Sequence, residues 1–419
     1  MIDLILACFL GIICGAFTGI IPGIHVNTAG AIVFASSAFL LSFFSPEFLC
    51  VFLMTMSIAH ALIEFVPSMF LGVPEEGTAL SVLPGHRMVL EGRSKEAIRI
   101  VSLGGFGAII VIILLLPIFT FLLPAFHALT KQFTWIILLS VSLFMIWRLS
   151  NGKKAFLWSL LLFILSGILG WTGFQTPISS GILLMCVFSG LFGISTIMFS
   201  LNESSFIPHQ NKFYDLNLTK GMFKGIFAGG IAGAILGFLP GFGPAQGGII
   251  AQEVSGGSDE NDTENFLTAI SGLNTSDTLF SIVSIYLIGR PRSGIAVYMN
   301  YLIETFSISH LLIFISASLI AVSISVLICL KLGDSFSKII QGIDYKKLSL
   351  FAIVLMIFIL FVFAIIYEAP LPYLTLILIT STALGLLPHY LGVSKSHLMG
   401  VLIVPALIIY FNIFINAFF

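Results

Sequence analysis

An all-α polytopic membrane protein, built from two inverted-topology repeats with discontinuous and re-entrant helices, is the fold class this sequence predicts. Three observations predict it: composition, internal repetition and the placement of basic residues. Of 419 residues, 58% are hydrophobic and 9% are charged, against roughly a quarter charged in soluble domains. Apolar runs long enough to cross about 30 Å of hydrocarbon recur along the chain, giving about 10–14 membrane segments. The formal net charge of -1 and the lack of long like-charge runs exclude a nucleic-acid role.

The candidate spans are 2–21, 24–44, 48–71, 99–126, 133–149, 155–173, 178–199, 221–239, 243–256, 266–288, 307–330, 349–368, 371–388 and 397–418. The first begins with "LILAC", which no basic residue precedes, so it reads as a retained helix rather than a cleaved signal. Segment 243–256 is too short to cross and is expected to re-enter. Cys8, Cys14, Cys50, Cys186 and Cys329 all lie in apolar runs without a C-x-x-C pair, as small core residues do.

Two motifs recur in one order. "GAFTGIIPGIHVNTAG" from Gly15 matches "GAILGFLPGFGPAQGG" from Gly233, and "GVPEEGTA" from Gly72 matches "GRPRSGIA" from Gly289. The chain therefore divides into homologous halves, 1–210 and 220–419. Basic residues fall in every second loop: Arg87, Arg93, Lys95 and Arg99, then Arg148, Lys153 and Lys154, then Lys212, Lys220 and Lys224. Such loops are cytoplasmic by the positive-inside rule. The next basic loop, Lys331 to Lys347, follows span 307–330, whereas the first precedes the equivalent span 99–126. Equivalent helices thus run in opposite directions, and both termini fall outside the cytoplasm.

Gly/Pro-interrupted apolar segments at matching places in inverted halves point to a secondary transporter's binding site. A helix restarting after Pro22-Gly23 or Pro240-Gly241 presents unpaired N–H groups and a positive dipole end, which suit carboxylate or phosphate oxygens. A kink for close helix packing is the alternative for either break alone. His25, Asn27 and Thr28 follow the first break, Gly243 and Gln246 the second, as ligand-facing polar or backbone positions. His60 and Glu64, four apart, share a helix face; Asp277 aligns with His60, beside Asn274, Thr275 and Ser276. A carboxylate among hydroxyls and amides suits a sodium ion or a transferable proton, and a buried network that only fixes packing is the alternative.

The tips of the second motif differ in charge. Pro74, Glu75, Glu76 and Gly77 form the first; Arg290, Arg292 and Ser293 belong to the second, with Arg292 aligned to Glu75. Guanidinium forks pair with substrate carboxylate or phosphate; charges that only mark an aqueous boundary are the alternative. The acidic loop from Gly256 to Asn265 lacks the spacing of an EF-hand and reads as solvated.

These residues resemble the TctA family, the large membrane subunit of tripartite tricarboxylate transporters. The resemblance rests on "GIIPGIHVNTAGAIV", on "GVPEEGTALSVLPGHRMVLEGRSKEAIRIVSLGGFGA", and on "GFLPGFGPAQGG" followed by "GRPRSGIAV". It implies a multi-pass protein of the cytoplasmic membrane that works with a small membrane subunit and an extracytoplasmic binding protein. The expected function is secondary transport of a di- or tricarboxylate by alternating access, coupled to sodium or protons. Gly23 and Gly241 would offer backbone amides, and His60, Glu64 or Asp277 would carry the coupling cation. No cofactor and no structural metal are implied, beyond sodium at Asp277. A polyprenyl-phosphate lipid carrier of the same fold is the first alternative. An intramembrane enzyme is the second, but no nucleophile–base spacing or H-E-x-x-H pattern supports it.

Overall fold

In hydrocarbon a backbone must satisfy its own hydrogen bonds, and this chain does so almost entirely as helix. A computed structural model describes residues 2–21, 26–72, 78, 82–130, 132–150, 152–201, 208–211, 218–237, 247–248, 250–251, 254, 263–339 and 345–418. The first half contains α1 (Ile2–Ile20), α2 (Val26–Ala35), α3 (Ser37–Leu40), α4 (Pro46–Ile63), α5 (Phe65–Leu71), α6 (Val82–Leu90) and α7 (Ser94–Thr130). It continues through α8 (Thr134–Arg148), α9 (Lys153–Gly173), α10 (Ser180–Phe188), a π-helical turn (Ser189–Ile194) and α11 (Ser195–Ser200). The second half contains α12 (Lys220–Leu236), α13 (Thr263–Ile288), α14 (Gly294–Leu302), α15 (Ile308–Ile339), α16 (Tyr345–Ile366) and α17 (Leu371–Leu391). A 3-10 turn (Lys395–Met399) and α18 (Gly400–Phe418) complete it. There is no strand among the described residues, and nine of their helices, some joined end to end, are long and apolar enough to span a membrane.

The start signals are local. Ser45, with Pro46 behind it, caps Phe48 N at 3.2 Å; Thr219 caps Met222 N and Ser293 caps Ala296 N in the same way. The expected spans 133–149, 221–239 and 266–288 form helices that are not among those nine, and 24–44 is not a membrane-length helix. It resolves into α2 and α3, parted at Ser36, whose hydroxyl bonds back to the Ile32 carbonyl at 3.0 Å. The expected re-entrant segment 243–256 lies mostly outside the described residues. Cys8, Cys50, Cys186 and Cys329 are buried free thiols and Cys14 is half-buried, as expected of core residues.

α4 and α5 form one long element with a joint at Glu64. Pro67 has no N–H, so the Ile63 carbonyl loses its intrahelical donor, and the helix turns at Glu64 before resuming.

The hydrophobic residues form two main cores, and each draws on both sequence halves. One body packs α1–α7 with α12–α15 around Phe65, Phe70, Phe280 and Phe314. The other packs α8–α11 with α16–α18 around Leu162, Cys186, Phe192, Leu360, Leu374 and Leu398. The bodies touch where α10 meets α2 and where α16 meets α5. Within the second body Lys395 Nζ donates to Ser195 Oγ at 3.1 Å and to Thr196 Oγ1, tying the 3-10 turn to α11. Phe121, Leu327, Phe351 and Leu376 stand exposed on the outer faces, where lipid would cover them.

The packing of the first body repeats itself. α1 lies along α4 as α12 lies along α13, and α7 packs on α13 as α15 packs on α4. A Cβ on Gly11 would meet Phe52 O and Met56 N, and one on Gly15 would meet Met56 O and Ala59 Cβ. At Gly229 it would meet Ala269 O and Leu273 N, and at Gly233 Leu273 O and Ser276 Oγ. Those partners stand 217 residues beyond their first-half equivalents. The crossing of α4 with α13 obeys the same register: Ser57 bonds Thr278 at 3.2 Å, and Asn274, the equivalent of Ser57, bonds the carbonyl of Ala61, the equivalent of Thr278, at 2.9 Å. Gly72 and Gly289, also equivalent, both end their helices with φ of 65° and 62°, a left-handed conformation that L side chains resist.

Candidate functional site

Two polar centres lie in the first body. The deeper one sits where α1, α4 and α13 meet. His60, on the last turn of α4, and Glu64, at the joint, are 3% and 5% exposed, so water solvates neither side chain. His60 Nε2 lies 3.5 Å from Glu64 Oε2, and His60 Nδ1 lies 3.0 Å from Thr18 Oγ1 on α1. Asn274 Nδ2, from α13, donates to Glu64 Oε1 at 2.5 Å and to the Ala61 carbonyl at 2.9 Å. The chain Thr18–His60–Glu64–Asn274 therefore joins both sequence halves through a buried carboxylate. A bonded network of this kind is costly to break, because each member left alone is an unpaired polar group in low dielectric.

The second centre forms where α2 and α14 run side by side. Asn27 lies against Gly294, Gly30 against Ile295 and Tyr298, and Phe34 stacks on Tyr298 at 5.0 Å. These pairs advance together, so the helices are parallel and their N-terminal ends adjoin. Two helix N-termini side by side reinforce the positive potential that attracts an anion. Just before α14 stand Arg290, exposed, and Arg292, partly buried. Burial pulls the Arg292 guanidinium below its usual pKa, and the Tyr410 side chain of α18, whose oxygen accepts a hydrogen bond from the guanidinium, works against that shift. Tyr410 belongs to the second body, so this centre lies at the boundary between the two.

The pattern of the tripartite tricarboxylate transporter TctA family matches residues 5–400. The chain belongs to that family. Family membership makes it a multi-pass membrane component of a transporter, of a kind that works with a small membrane subunit and an extracytoplasmic binding protein. An uncharacterized protein of Methanocaldococcus jannaschii is 32% identical over 413 residues, covering 97% of this chain and 98% of the relative. No solved structure matches the chain.

Of the residues singled out from the sequence, His60, Glu64 and Asn274 come together in one network, and Asn27, Arg292 and Ser293 gather around the α14 N-terminus. Thr275 turns instead to α7, where a Cβ on Gly105 would meet its hydroxyl, and Ser276 faces Gly233 of α12. Thr275 Oγ1 donates to the Ser271 carbonyl at 2.8 Å and Ser276 Oγ to Leu273 O at 3.3 Å. Asp277 is partly buried one turn from Asn274, its backbone against α12. Thr28 begins α2. Gly23, His25, Pro74, Glu75, Glu76, Gly77, Gly241, Gly243 and Gln246 lie outside the described residues. Sequence reasoning missed Thr18, Ser57, Thr278 and Tyr410. Thr18 carried a signal, since it stands between Gly15 and Gly19 on the stripe that lets α1 approach α4. Tyr410 carried none.

Proposed function

We propose that this chain is a secondary transporter for an organic anion of the di- or tricarboxylate class, moved across the cytoplasmic membrane by alternating access. The observation that carries the reading is the paired, parallel N-termini of α2 and α14 with Arg292 beside them. They form a positive, partly desolvated end at the boundary between two bodies. Substrate carboxylate oxygens would accept from the free N–H groups of both helices and from the Arg292 fork, with Asn27 and Ser293 fixing orientation. A second carboxylate would face the other break, at Gly241, Gly243 and Gln246.

In this reading residues 1–210 and 220–419 are inverted repeats, both termini are extracytoplasmic, and His60, Glu64 and Asp277 hold the coupling cation. The repeated glycine contacts and the α4–α13 crossing support the repeat. A small membrane subunit and an extracytoplasmic binding protein would complete the system.

The test is uptake of labelled citrate and related di- and tricarboxylates into proteoliposomes under imposed sodium or proton gradients. Wild-type protein should accumulate at least one acid in response to a gradient, and Arg292→Gln should raise the concentration needed for half-maximal uptake. No uptake across the panel, together with thermal stabilisation by a prenyl phosphate, would overturn the carboxylate reading in favour of a lipid carrier.

A further inference from the structure

We infer that α14 is the moving arm of this transporter and that the anion centre opens at the turn between α14 and α15; the inference rests on the transporter reading above and adds which arm moves. It comes from two turns at equivalent places in the sequence repeat. One leads from α6 into α7, and the other, 217 residues further on, leads from α14 into α15. Each turn is followed by a basic side chain that faces a glutamate in the first turn of a neighbouring long helix. Arg93 faces Glu264 of α13, and His310 faces Glu47 of α4. The members correspond one to one, Arg93 with His310 and Glu264 with Glu47.

The two fastenings are unequal. Arg93 Nη2 donates to Glu264 Oε1 at 3.2 Å, and the same guanidinium holds Glu96 at 2.7 and 2.8 Å. An arginine keeps its charge. The segment between the halves adds a second fastening at this turn. Gln210, 7% exposed, accepts from Ser94 N at 3.2 Å and donates to the Val89 carbonyl at 2.9 Å. One buried side chain thus serves the open end of α6 and the open start of α7. Asn211 N donates to the Gly92 carbonyl at 2.8 Å.

The α14–α15 turn has no such support among the described residues. His310 Nε2 stands 4.0 Å from Glu47 Oε1, beyond hydrogen-bond reach, and a histidine can lose its charge. Its other hydrogen bonds are local: Ser307 N donates to His310 Nδ1 at 3.2 Å, and His310 N donates to Ser307 Oγ at 3.3 Å. These cap the start of α15 from within and hold no other element. Glu304, Thr305, Ser307 and Ser309 are exposed, whereas Gly92 and Ser94 are buried.

Few tertiary ties and exposed hydrogen bonds mark the segments that open at low free energy. The α14–α15 turn therefore yields before the α6–α7 turn. α14 hangs from it, and the N-terminus of α14, with Arg292 and Ser293, is one side of the anion centre. A swing of α14 parts that N-terminus from α2, so the arm that holds the anion is also the arm that admits it. The charge parity of the loops puts this turn on the extracytoplasmic face, so the empty protein takes its anion from that side.

The test uses the full-length protein in lipid. Hydrogen exchange without substrate should run about tenfold faster at 294–307 than at 82–94, as the loss of one net hydrogen bond predicts. His310→Arg gives the second turn the guanidinium of the first. It should slow exchange at 294–307 and slow gradient-driven uptake of citrate or a related acid, and adding Glu47→Gln should restore both. Gln210→Ala should quicken exchange at 82–94 and leave 294–307 unchanged. The inference fails if the two segments exchange alike, if 82–94 exchanges faster, or if His310→Arg acts equally with and without Glu47. If no acid is taken up, the substrate reading falls, while faster exchange at 294–307 with a Glu47-dependent response to His310→Arg still identifies α14 as the looser arm.

Discussion

α4 with its α5 extension and α13 occupy equivalent places in the two halves, yet they differ in the chemistry they bring to their shared crossing. Their packing faces agree residue for residue: Phe52 with Ala269, Met56 with Leu273 and Ala59 with Ser276 receive the glycines of α1 and α12. Their polar faces do not. Where α4 carries His60, α13 carries Asp277, and where Glu64 ends α4 at a Pro67-induced joint, α13 continues unbroken through Ser281. The close approach of backbones is a requirement of the fold, so it is kept in both halves. The ionisable pair of α4 has no counterpart pair on α13. The two elements therefore share their packing and differ in their polar chemistry.

The largest expected effect tests the shared background. Gly15→Ala drives a Cβ into the Met56 carbonyl and Ala59, which are helix-bound, whereas Gly233→Ala meets the end of the Ser276 side chain. Overpacking against backbone costs about 3 kcal/mol and against a rotatable hydroxyl about 1 kcal/mol. Thermal unfolding in detergent should thus rank Gly15→Ala well below Gly233→Ala. Equal losses would mean that the two stripes do not differ in the way described.

The next effect tests the chemical difference. Asn274→Ala strips the amide donor from a buried carboxylate, for about 2–3 kcal/mol, while Ser57→Ala, at the equivalent place on α4, removes a neutral hydroxyl pair for about 1 kcal/mol. Melting temperatures of the two variants check it. If Ser57→Ala costs as much as Asn274→Ala, Glu64 does not depend on its α13 donor.

The smallest effect concerns pH. His86 Nδ1 of α6 donates to the Met69 carbonyl 2.7 Å away. Burial pushes its imidazole below the usual pKa, and that hydrogen bond offsets only part of the push. The folded chain then takes up a proton less readily than the unfolded chain, so stability is full above about pH 6.5 and declines as pH falls through that value. The equivalent position in the second half is Ile303, which cannot titrate. Melting temperature should drop on acidification in the wild type and drop less in His86→Gln; identical slopes would remove His86 from the account.

Much of the site was legible because membrane burial makes polar residues conspicuous. His60, Glu64 and Asp277 stand out as costly residues in apolar runs, and the structure joins the first two to Asn274, the neighbour of Asp277. Their partners did not stand out: Thr18 is an ordinary helix residue, and hydroxyls at Ser57 and Thr278 can always bond back to their own helix. Residues 24–44 misled because hydropathy sees the apolar run and not the backbone break at Ser36. Polarity alone does not say which neighbour a helix face will meet, and the structure sets Thr275 against α7 and Ser276 against α12.

By itself the sequence determined the solvent of this protein, its helical class, the repetition of its motifs and its family, since these follow from composition and from patterns written along the chain. Only the tertiary structure decided that each core mixes both halves, that α2 and α14 bring their N-termini together, and that Asn274, rather than Asp277, bonds Glu64. Those facts depend on contacts between residues more than two hundred positions apart. Periodicity gives the face of a helix but not the helix it faces.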